Sequence, residues 1–457
     1  GIYLIEPNLW KEPDSGPNHY AFLCDCLKEL HSDLASIGIE LKIFVSEATA
    51  FFEPLLKAGR IAALYSHEET GNLWTYARDK ALIELCRRYN VPWYESPSNG
   101  VIRPLKNRDA WQALRDQRMS PGPLPAPKGS PIQVSPLNLP SFQDLGLDSP
   151  APGVQRGGKK AGQELLDSFF RERSRGYRTE MSSPLLAPTA CSRMSPHIAF
   201  GTFSIRELVH LVKAARMPSD SKRSFLSRLY WRCHFVQKLE QRPSLETETM
   251  HPYYEKLDRI TDPNHPHFIA WKTGKTGYPF IDACMRYLIH HGWINFRMRA
   301  MLVSFASYDL WLDWRLFAHF LAQQFTDYEP GIHYSQLQMQ AGTTGINTPR
   351  MYSPHKQAQD YDPKGTYIRE WIPELAGVSD MYIHTPELMT PDIRKRYGAT
   401  DYPEPIVERK AAVAHARQKH GAIRKEPGFR EVALGIYTEL GSRRKARRRA
   451  PRATKQS

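Results

Sequence analysis

The chain has 457 residues, which is long for a single hydrophobic core and predicts two or three domains. Hydrophobic residues make up 41% and charged residues 24% of it, a composition typical of globular proteins that excludes a wholly disordered or collagen-like chain. No run of about 18 apolar residues occurs, so we expect no segment that crosses a membrane.

The formal net charge is +14, and this excess of basic residues predicts a polyanionic partner, most often a nucleic acid. Eight basic and no acidic residues lie in the tail from Arg443 to Lys455, so the rest of the chain carries +6 of that charge. A run of this kind either stays solvated or contacts DNA, and the sequence leaves both open.

The six cysteines are too sparse for a disulfide framework, and none follows Cys284. Cys24 and Cys26 do not have the CxxC spacing of a metal site, so we expect buried thiols, no metal and a reduced, cytoplasmic location. Gly1 stands almost directly before the first predicted strand, and we expect the beginning of the first domain to be missing.

Residues 1–118 alternate short apolar runs with longer helical patterns, an order of elements typical of a parallel α/β sheet. No GxGxxG sequence follows a predicted strand, which argues against a dinucleotide bound in the usual Rossmann manner. The predicted strands are Ile2–Ile5, Leu41–Val45, Ile61–Tyr65 and Val91–Tyr94, and the predicted helices are His19–Ile37 and Leu73–Tyr89.

Residues 119–163 are rich in Pro, Ser and Gly and predict a linker. Residues 164–400 carry apolar residues three and four apart and few strand signals, so they predict an all-α domain. Its predicted helices include Leu165–Arg173, Ser204–Lys213, Lys222–Gln241, Ile281–His291, Phe296–Tyr308 and Trp314–Gln324. Residues 401–457 predict one or two peripheral helices and the basic tail.

Four segments of the helical domain mix aromatic, Arg and Asp residues, namely 225–235, 273–288, 291–300 and 325–342. Rings stack on planar ligands and guanidinium groups bind phosphate or carboxylate, so this mixture favours a planar, partly anionic ligand. The alternative is a core of aromatic side chains with ion pairs at the surface. Cys191, Ser192 and Ser195 precede a helical run, either as an anion site or as a simple helix cap.

Several motifs occur in a fixed order between residues 175 and 410. They are SRMSPHIAFGTFSIREL, LYWR, GKTGYPFIDACMRYLIHHGWINFRMR, DWR, YSPHKQAQDYDPKGTYIREWIPEL and DYPEPIV. This series resembles the FAD domain of the photolyase/cryptochrome family, in an outlying bacterial-type branch. The resemblance implies a Rossmann-like α/β antenna domain, incomplete at its start, followed by an all-α FAD-binding domain. It leaves open an antenna chromophore of the folate or deazaflavin type.

The resemblance implies that FAD is held by residues at the positions of the family's flavin contacts. These are Tyr177, Cys191, Ser192, Arg193, Met194, Ser195, Arg232, Trp293, Arg299, Asp327, Glu329 and His333. Arg299 and Asp327 are expected to form an ion pair beside the flavin ring. Cys191 stands where Thr is usual. His333 stands where photolyases usually carry Asn facing the flavin N5, and an imidazole there can donate, accept or take a charge near neutral pH.

The resemblance also implies a set of DNA contacts, in which Trp231 stacks on a flipped pyrimidine dimer. The implied contacts to the lesion and its phosphates are Arg228, Trp231, Phe296, Arg297, Met339 and Gln357. The implied catalytic residues are Trp231, Arg228, His333 and Trp314. Arg228 replaces the usual Glu, and Leu337 and Met339 replace two tryptophans, which interrupts the usual electron route through Trp314.

The function implied is that of a deoxyribodipyrimidine photolyase, which splits cyclobutane pyrimidine dimers by electron transfer from excited, reduced FAD. The 6-4 branch uses two His where this chain has Asn295, Phe296 and Ala300, and the iron–sulfur branch needs C-terminal cysteines. The alternative is a blue-light signalling cryptochrome without repair activity. A preference for single-stranded DNA is a further hypothesis. We expect a cytoplasmic monomer, associated with the nucleoid when bound to dimer-containing DNA.

Overall fold

The computed structural model describes residues 1–443, and its N-terminal part contains four short strands. Strand β1 (Ile2–Ile5) pairs in parallel with β2 (Lys42–Val45), and β3 (Leu64–His67) pairs in parallel with β4 (Trp93–Ser96). The accompanying helices are α1 (Pro7–Trp10), α2 (Pro17–Ser36), α3 (Ala48–Lys57), α4 (Leu73–Arg88) and α5 (Trp111–Met119). This alternation confirms the predicted parallel α/β arrangement, here as two two-stranded sheets.

Strands β3 and β4 begin later in the chain than the apolar runs predicted. Ile61 and Val91, the first residues of those runs, are partly buried against Leu82 and Cys86 of α4 instead of pairing in a sheet. An apolar residue can be buried without its backbone pairing in a sheet. The apolar runs therefore predicted correctly which residues contact the core, but the predicted bounds of the two strands were wrong.

The chain from Ser120 to Gly158 contains a 3-10 turn at Gln143–Leu145 and no α-helix. It runs along α2, where the Tyr20 hydroxyl donates a hydrogen bond to the Pro140 carbonyl over 2.6 Å. Leu145 is buried in the same small core as Tyr20. The Pro-rich segment is therefore fixed to α2 by packing, while the domain limits at residues 118, 163 and 400 stay a prediction.

The remaining described chain is helical, as predicted. The helices are α6 (Lys159–Arg171), α7 (Tyr177–Glu180), α8 (Ala187–Ala190), α9 (Ser195–Ala199), α10 (Ile205–Ala214), α11 (Ser219–Gln241), α12 (Pro266–Lys272), α13 (Pro279–His291), α14 (Phe296–Ser304), α15 (Trp314–Gln324), α16 (Pro330–Ala341), α17 (Pro354–Tyr361), α18 (Thr366–Trp371), α19 (Pro391–Tyr397), α20 (Arg409–Ile423) and α21 (Phe429–Leu440). A π-helical turn, Phe305–Asp309, continues α14. The basic tail beyond Arg443 lies outside the described residues.

Helices α11 and α16 lie against each other at the centre of the helical part. A Cβ placed on Gly331 of α16 would lie 2.5 Å from the Val236 Cα of α11, so glycine is required for this close approach. Around this pair, the largest core cluster buries rings such as Trp271, whose indole nitrogen donates to the Leu302 carbonyl over 3.2 Å. A buried indole needs such a partner, because an unpaired N–H in the core is costly.

The α/β part contacts the helical part through the start of α2. The His19 Nε2 atom lies 3.1 Å from the Ala322 carbonyl and 3.0 Å from the Phe325 carbonyl, at the end of α15. Nearby, the Tyr328 hydroxyl donates to the Asp14 carboxylate over 2.5 Å. These polar contacts fix the first domain to the chain segment that leads into α16.

No helix within residues 1–443 is long and apolar enough to cross a membrane.

The fully buried Asp282 carboxylate organises the start of α13. It accepts hydrogen bonds from the Thr276 amide and hydroxyl, the Gly277 amide and the Tyr402 hydroxyl, over 2.8, 2.7, 3.1 and 2.6 Å. The substitution Asp282→Ala leaves these donors buried without a partner. We expect it to lower the free energy of unfolding by about 3 kcal/mol or more, measured by urea denaturation.

The matched control is Asp360→Ala, which removes an exposed carboxylate paired with Lys356 at the i,i+4 spacing. Its expected loss is below about 0.5 kcal/mol. Equal losses for the two variants would show that the Asp282 network does not stabilise the fold.

Candidate functional site

The loop between α8 and α9 carries the residues Cys191 to Ser195. Arg173 fixes the position of this loop by donating hydrogen bonds to the backbone carbonyls of Cys191 and Thr189. Arg193 has a φ of 61°, the left-handed region that non-glycine residues rarely adopt. Its guanidinium carbon lies 4.1 Å from the centre of the Trp293 ring. The loop therefore places a cation on an indole face at the start of α9.

Two ionisable groups beside this loop stay neutral at physiological pH. Burial raises the pKa of the Tyr177 phenol to about 12 and that of the Cys191 thiol to about 11. Ser192 is buried, and its hydroxyl accepts a hydrogen bond from the Met194 amide over 3.4 Å. Cys191, which lies near Arg193, is therefore a neutral neighbour, while Asp327 and Arg299 bring charge to the same guanidinium.

Two ion pairs connect the segment just before α16 with α11 and α14. Arg299 of α14 contacts the Asp327 carboxylate through both guanidinium nitrogens, each over 2.9 Å. Arg232 of α11 pairs with Glu329, and both side chains are largely buried. Burial raises the pKa of Glu329 above its ordinary value, while Arg232 opposes this. Buried charges of this kind need good geometry and further hydrogen bonds to be stable.

His333 of α16 is buried within the site. Its Nε2 atom lies 2.9 Å from the Ala318 carbonyl, which can only accept, so Nε2 carries the proton and Nδ1 is left as an acceptor. Burial lowers its pKa to about 4. The imidazole is therefore neutral near pH 7. Of the three possibilities given by the sequence, it donates from Nε2 and can accept at Nδ1, but it does not take a charge.

The rim of the site begins on the exposed side of α11. Trp231 is half-buried and stacks on Phe235, with ring centres 5.8 Å apart. Arg228 is exposed, and its guanidinium lies 6.0 Å from the Phe296 ring at the start of α14. This part of the rim therefore carries an indole and a guanidinium on α11, and the guanidinium faces a phenyl ring of α14.

A second edge combines α14 with α17. The guanidinium of Arg297 lies 5.1 Å from the Tyr361 ring, and Gln357 is buried on the same short helix. Met339 of α16 is half-buried.

Trp314, one of the residues implied as catalytic, lies in the core and not at the rim. It is only 1% exposed, and the ring of Tyr334 lies 6.3 Å away between ring centres.

Polar atoms without a hydrogen-bond partner recur among these segments. The buried ones within residues 1–443 include Arg193 Nε, Asn295 Oδ1, Arg297 Nε, Ser335 Oγ and Gln357 Oε1. Buried polar groups are normally paired, so this set fits a ligand that brings donors and acceptors of its own. Phosphate oxygens, ribityl hydroxyls and a flavin ring have the required chemistry.

Three residues that position the site were not predicted from the sequence. Arg173 holds the Cys191 loop, Gln155 of the linker donates to the Arg193 carbonyl over 3.0 Å, and Tyr328 links the segment before α16 to Asp14. Arg173 and Gln155 belong to no motif, and Tyr328 lies in the segment 325–342 but was given no role there; all three act through contacts with other segments of the chain.

Comparison with known proteins decides the family. Residues 225–422 match the family model of the FAD binding domain of DNA photolyase, and residues 1–110 match that of DNA photolyase. A deoxyribodipyrimidine photo-lyase of Streptomyces griseus is 32% identical over 425 residues, which cover 89% of each chain. The chain belongs to the photolyase/cryptochrome family. FAD is therefore its cofactor.

Other relatives show the breadth of the photolyase/cryptochrome family. A cryptochrome DASH of Gloeobacter violaceus is 28% identical over 450 residues, covering 89% of this chain and 87% of its own. The crystal structure of a class III photolyase from Agrobacterium tumefaciens superposes with a TM-score of 0.80 at 25% identity, covering 93% of this chain and 92% of its own. The resemblance stated from the motifs is confirmed at the level of family, fold and cofactor.

The residues that hold FAD stay a prediction, and the geometry fits it. The Arg193 loop, the Arg232–Glu329 pair and the Arg299–Asp327 pair supply charged and hydrogen-bonding groups, and several buried polar atoms in these segments have no partner within residues 1–443. The Cys191 to Ser195 loop lies outside the matched range 225–422, so its role in FAD binding stays a prediction from the motif resemblance.

The substitution Arg299→Leu tests the central ion pair. It leaves the Asp327 carboxylate buried and unpaired, which disfavours the bound arrangement of this segment. We expect the dissociation constant for FAD to rise at least about tenfold, or about 1.4 kcal/mol, in a titration followed by flavin fluorescence. The control Arg369→Leu removes a pair with the exposed Asp380 and should leave FAD affinity unchanged. Equal affinities in both variants would contradict the assignment.

The pKa of His333 predicts a dependence of stability on pH. Its ordinary value is 6.5 and burial lowers it to about 4, so between these values the unfolded chain binds a proton that the folded chain does not. The contribution of the neutral His333 ring to the free energy of unfolding is complete above pH 6.5 and is lost as the pH falls from 6.5 toward 4. From pH 7 to 5, the native protein should lose about 2 kcal/mol more than His333→Asn, measured by urea unfolding.

The exposed His319 of α15 provides the matched control variant, His319→Asn. Both variants remove one imidazole from the same packed pair of helices. If His333→Asn and the native chain lose the same stability on acidification, the neutral buried ring is not the cause.

Proposed function

We propose that this protein repairs cyclobutane pyrimidine dimers in DNA when illuminated with blue light. The support is the half-buried Trp231 at the site's edge, next to Arg228 and the Arg232–Glu329 pair on the same helix. The Streptomyces griseus relative bears the name of this activity. Trp231 is the single observation that carries the proposal, because a partly exposed indole beside a flavin site suits stacking on an unpaired base.

Recognition of the lesion follows from stacking and extrusion. A dimer is poorly stacked in the duplex, so turning it out of the helix costs less than turning out a normal pair. Base stacking on an aromatic ring contributes about 1–3 kcal/mol per base. Trp231 supplies such a ring, and its own position is fixed by Phe235 and His234, at 5.8 and 5.3 Å between ring centres.

Binding of the DNA backbone uses the basic residues at the rim. Arg228 is exposed, Arg297 is half-buried, and the chain carries a formal net charge of +14. Contacts between cations and phosphates release counterions, so the affinity should fall steeply with added salt and depend little on sequence.

The chemistry needs an electron donor that returns to its starting state. When bound, FAD that is reduced and excited by light would supply the electron that opens the cyclobutane ring and would take it back, so the splitting would involve no net redox change. Arg299, Asp327, Arg232 and Glu329 orient and neutralise charges around the cofactor site. His333 holds its proton at Nε2 toward Ala318 and presents no charge there near pH 7.

The substitution Trp231→Ala tests the lesion contact. We expect the dissociation constant for a thymine-dimer oligonucleotide to rise about 10- to 100-fold through the loss of stacking, with FAD content unchanged. Trp231→Phe keeps a ring and should retain most of the affinity. The measurement is binding in the dark, followed by the loss of dimers under blue light with the flavin reduced.

The control is Trp311→Phe, another half-buried indole, which instead contacts His415 on α20. It should bind and split dimers like the native protein. If the native protein, loaded with reduced FAD, splits no dimers in the light, the repair function is wrong.

The second candidate is a blue-light signalling cryptochrome. It is favoured by Leu337, which is buried where the family usually has the tryptophan nearest the flavin, and by Arg228 in place of Glu. A cryptochrome DASH is among the relatives. This function predicts that light changes the oligomeric state or the protease sensitivity of the chain while dimers persist, which gel filtration and limited proteolysis would measure.

A preference for single-stranded DNA stays a hypothesis. The 49% exposed Phe296 and the half-buried Met339 shape the rim where a second strand would pass. Repair rates on the same dimer in single-stranded and duplex oligonucleotides decide it, since equal rates would remove the preference. An antenna chromophore and a monomeric state also stay predictions.

A further inference from the structure

Four buried polar side chains meet at the C-terminal end of α16, and we call them the Arg259 cluster. Its members, each at most 8% exposed, are Arg259, Tyr254, Tyr308 and His420. Arg259 donates a hydrogen bond to the carbonyl of Ala341, the last residue of α16, over 2.9 Å. Ala341 follows His333 by eight residues, about 12 Å along the helix axis. The cluster therefore lies apart from the predicted FAD contacts at the start of α16.

The other three side chains of the cluster converge on the His420 ring. The Arg259 Nη2 atom lies 3.0 Å from His420 Nε2. The rings of Tyr254 and Tyr308 each lie 5.3 Å from the imidazole between ring centres. A Cβ placed on Gly342 would collide with the Tyr308 hydroxyl and lie 3.1 Å from His420 Cε1, so this hydroxyl is directed toward the same ring.

Each member of the cluster has at least one buried polar atom without a hydrogen-bond partner within residues 1–443. These atoms are Arg259 Nε and Nη1, the hydroxyl oxygens of Tyr254 and Tyr308, and His420 Nδ1. A guanidinium only donates, so His420 Nε2 accepts from Arg259 and Nδ1 carries the proton. Burial, with Arg259 and Arg424 nearby, lowers the pKa of His420 to about 3, so the ring stays neutral. Every unpaired group can donate, and only the two phenol oxygens can also accept.

The charge of the cluster is positive and lacks a counter-charge. No acidic side chain within residues 1–443 pairs with the Arg259 guanidinium, and burial lowers its pKa. The carboxylate of Asp313, which also acts on Arg259, is already engaged by Arg315 over 3.3 Å. The exposed Arg424 adds a second positive charge beside His420. A buried guanidinium is costly unless a negative charge and further hydrogen bonds accompany it.

We propose that the Arg259 cluster binds a small monovalent anion such as chloride. An anion of this kind only accepts hydrogen bonds, so it matches a cluster of unpaired donors, whereas a water molecule would add hydrogens of its own. Its single negative charge offsets that of the guanidinium. The near-complete burial of all four side chains favours a small ion over a phosphate ester or a carboxylic acid.

The anion has a structural role that goes beyond the proposed repair function. His420 belongs to α20, Tyr308 to the π-helical turn, Tyr254 to the 3-10 turn Pro252–Lys256, and Arg259 contacts the end of α16. One ion therefore joins four segments that are far apart in the chain. Its binding requires neither DNA nor light, so it is measured separately from repair.

The first experiment measures the melting temperature of the FAD-loaded protein at rising sodium chloride, with sodium gluconate at equal ionic strength as the reference. The native protein should melt higher in chloride, with a saturable rise, because a ligand that binds the folded state stabilises it. Arg259→Met should abolish the rise. Tyr308→Phe removes one donor to a charged group, so about tenfold more chloride should be needed for the half-maximal rise.

The matched control is Tyr253→Phe, whose hydroxyl donates to the Pro427 carbonyl over 2.9 Å and does not belong to the cluster. It should keep the native response to chloride. In gluconate, Tyr308→Phe should melt at or above the native temperature, because the hydroxyl that it removes has no partner within residues 1–443. This mild variant keeps the test valid if Arg259→Met folds poorly. An equal chloride response in the native protein and Tyr308→Phe contradicts the site.

The second experiment locates the ion. Crystals of the FAD-loaded protein grown in sodium bromide are measured at the bromine absorption edge, where bromide gives an anomalous signal and water does not. We expect an anomalous peak within hydrogen-bond distance of Arg259 Nη1 and His420 Nδ1. Bromide peaks confined to the protein surface, with water at the cluster, overturn the proposal.

Discussion

The close contact between α11 and α16 is the constraint on which the site depends. Gly331 lets the backbone of α16 reach Val236, and this approach places Arg232 opposite Glu329 at the helix start. His333 lies on the same helix, and Asp327 lies in the short segment that leads into it. A side chain at residue 331 would separate the two helices, and the charged groups would no longer meet across them.

Buried charge recurs throughout the helical part, and its compensation differs from place to place. Asp282 is balanced by four hydrogen-bond donors and Asp327 by a two-point contact with Arg299. His333 avoids charge by remaining neutral. The Arg193 guanidinium lies on an indole face and has an unpaired Nε. A group such as Asp282, whose hydrogen bonds are all made within the chain, stabilises the fold. A group such as Arg193, which keeps an unpaired nitrogen, can also bind a ligand.

Much of the fold could be predicted from the sequence, because helical periodicity and alternating elements record which faces are buried. Strands β1 and β2 and helices α4, α11 and α15 fall within a few residues of their predicted bounds. The predicted positions of β3 and β4 were wrong because Ile61 and Val91 are apolar and packed against the core without pairing in a sheet, and the sequence of a paired strand shows the same apolar residues. The Arg299–Asp327 pair was expected and is present. The supports from Arg173, Gln155 and Tyr328 could not be predicted, since they are side-chain hydrogen bonds to other segments of the chain, which leave no periodic pattern in the sequence.

The linker and the first domain both make hydrogen bonds to the helical part, so the chain cannot be cut between them without losing these contacts. Gln155 holds the Arg193 carbonyl, and Asp14 of the first domain receives the hydroxyl of Tyr328 just before α16. The Cys191 to Ser195 loop and the segment that leads into α16 are therefore both held by residues that precede the helical part. A genetic truncation at residue 164 would remove these two supports together, so we expect the helical part alone to bind FAD more weakly than the whole chain. The first domain thus acts as scaffold for chemistry that takes place elsewhere in the molecule.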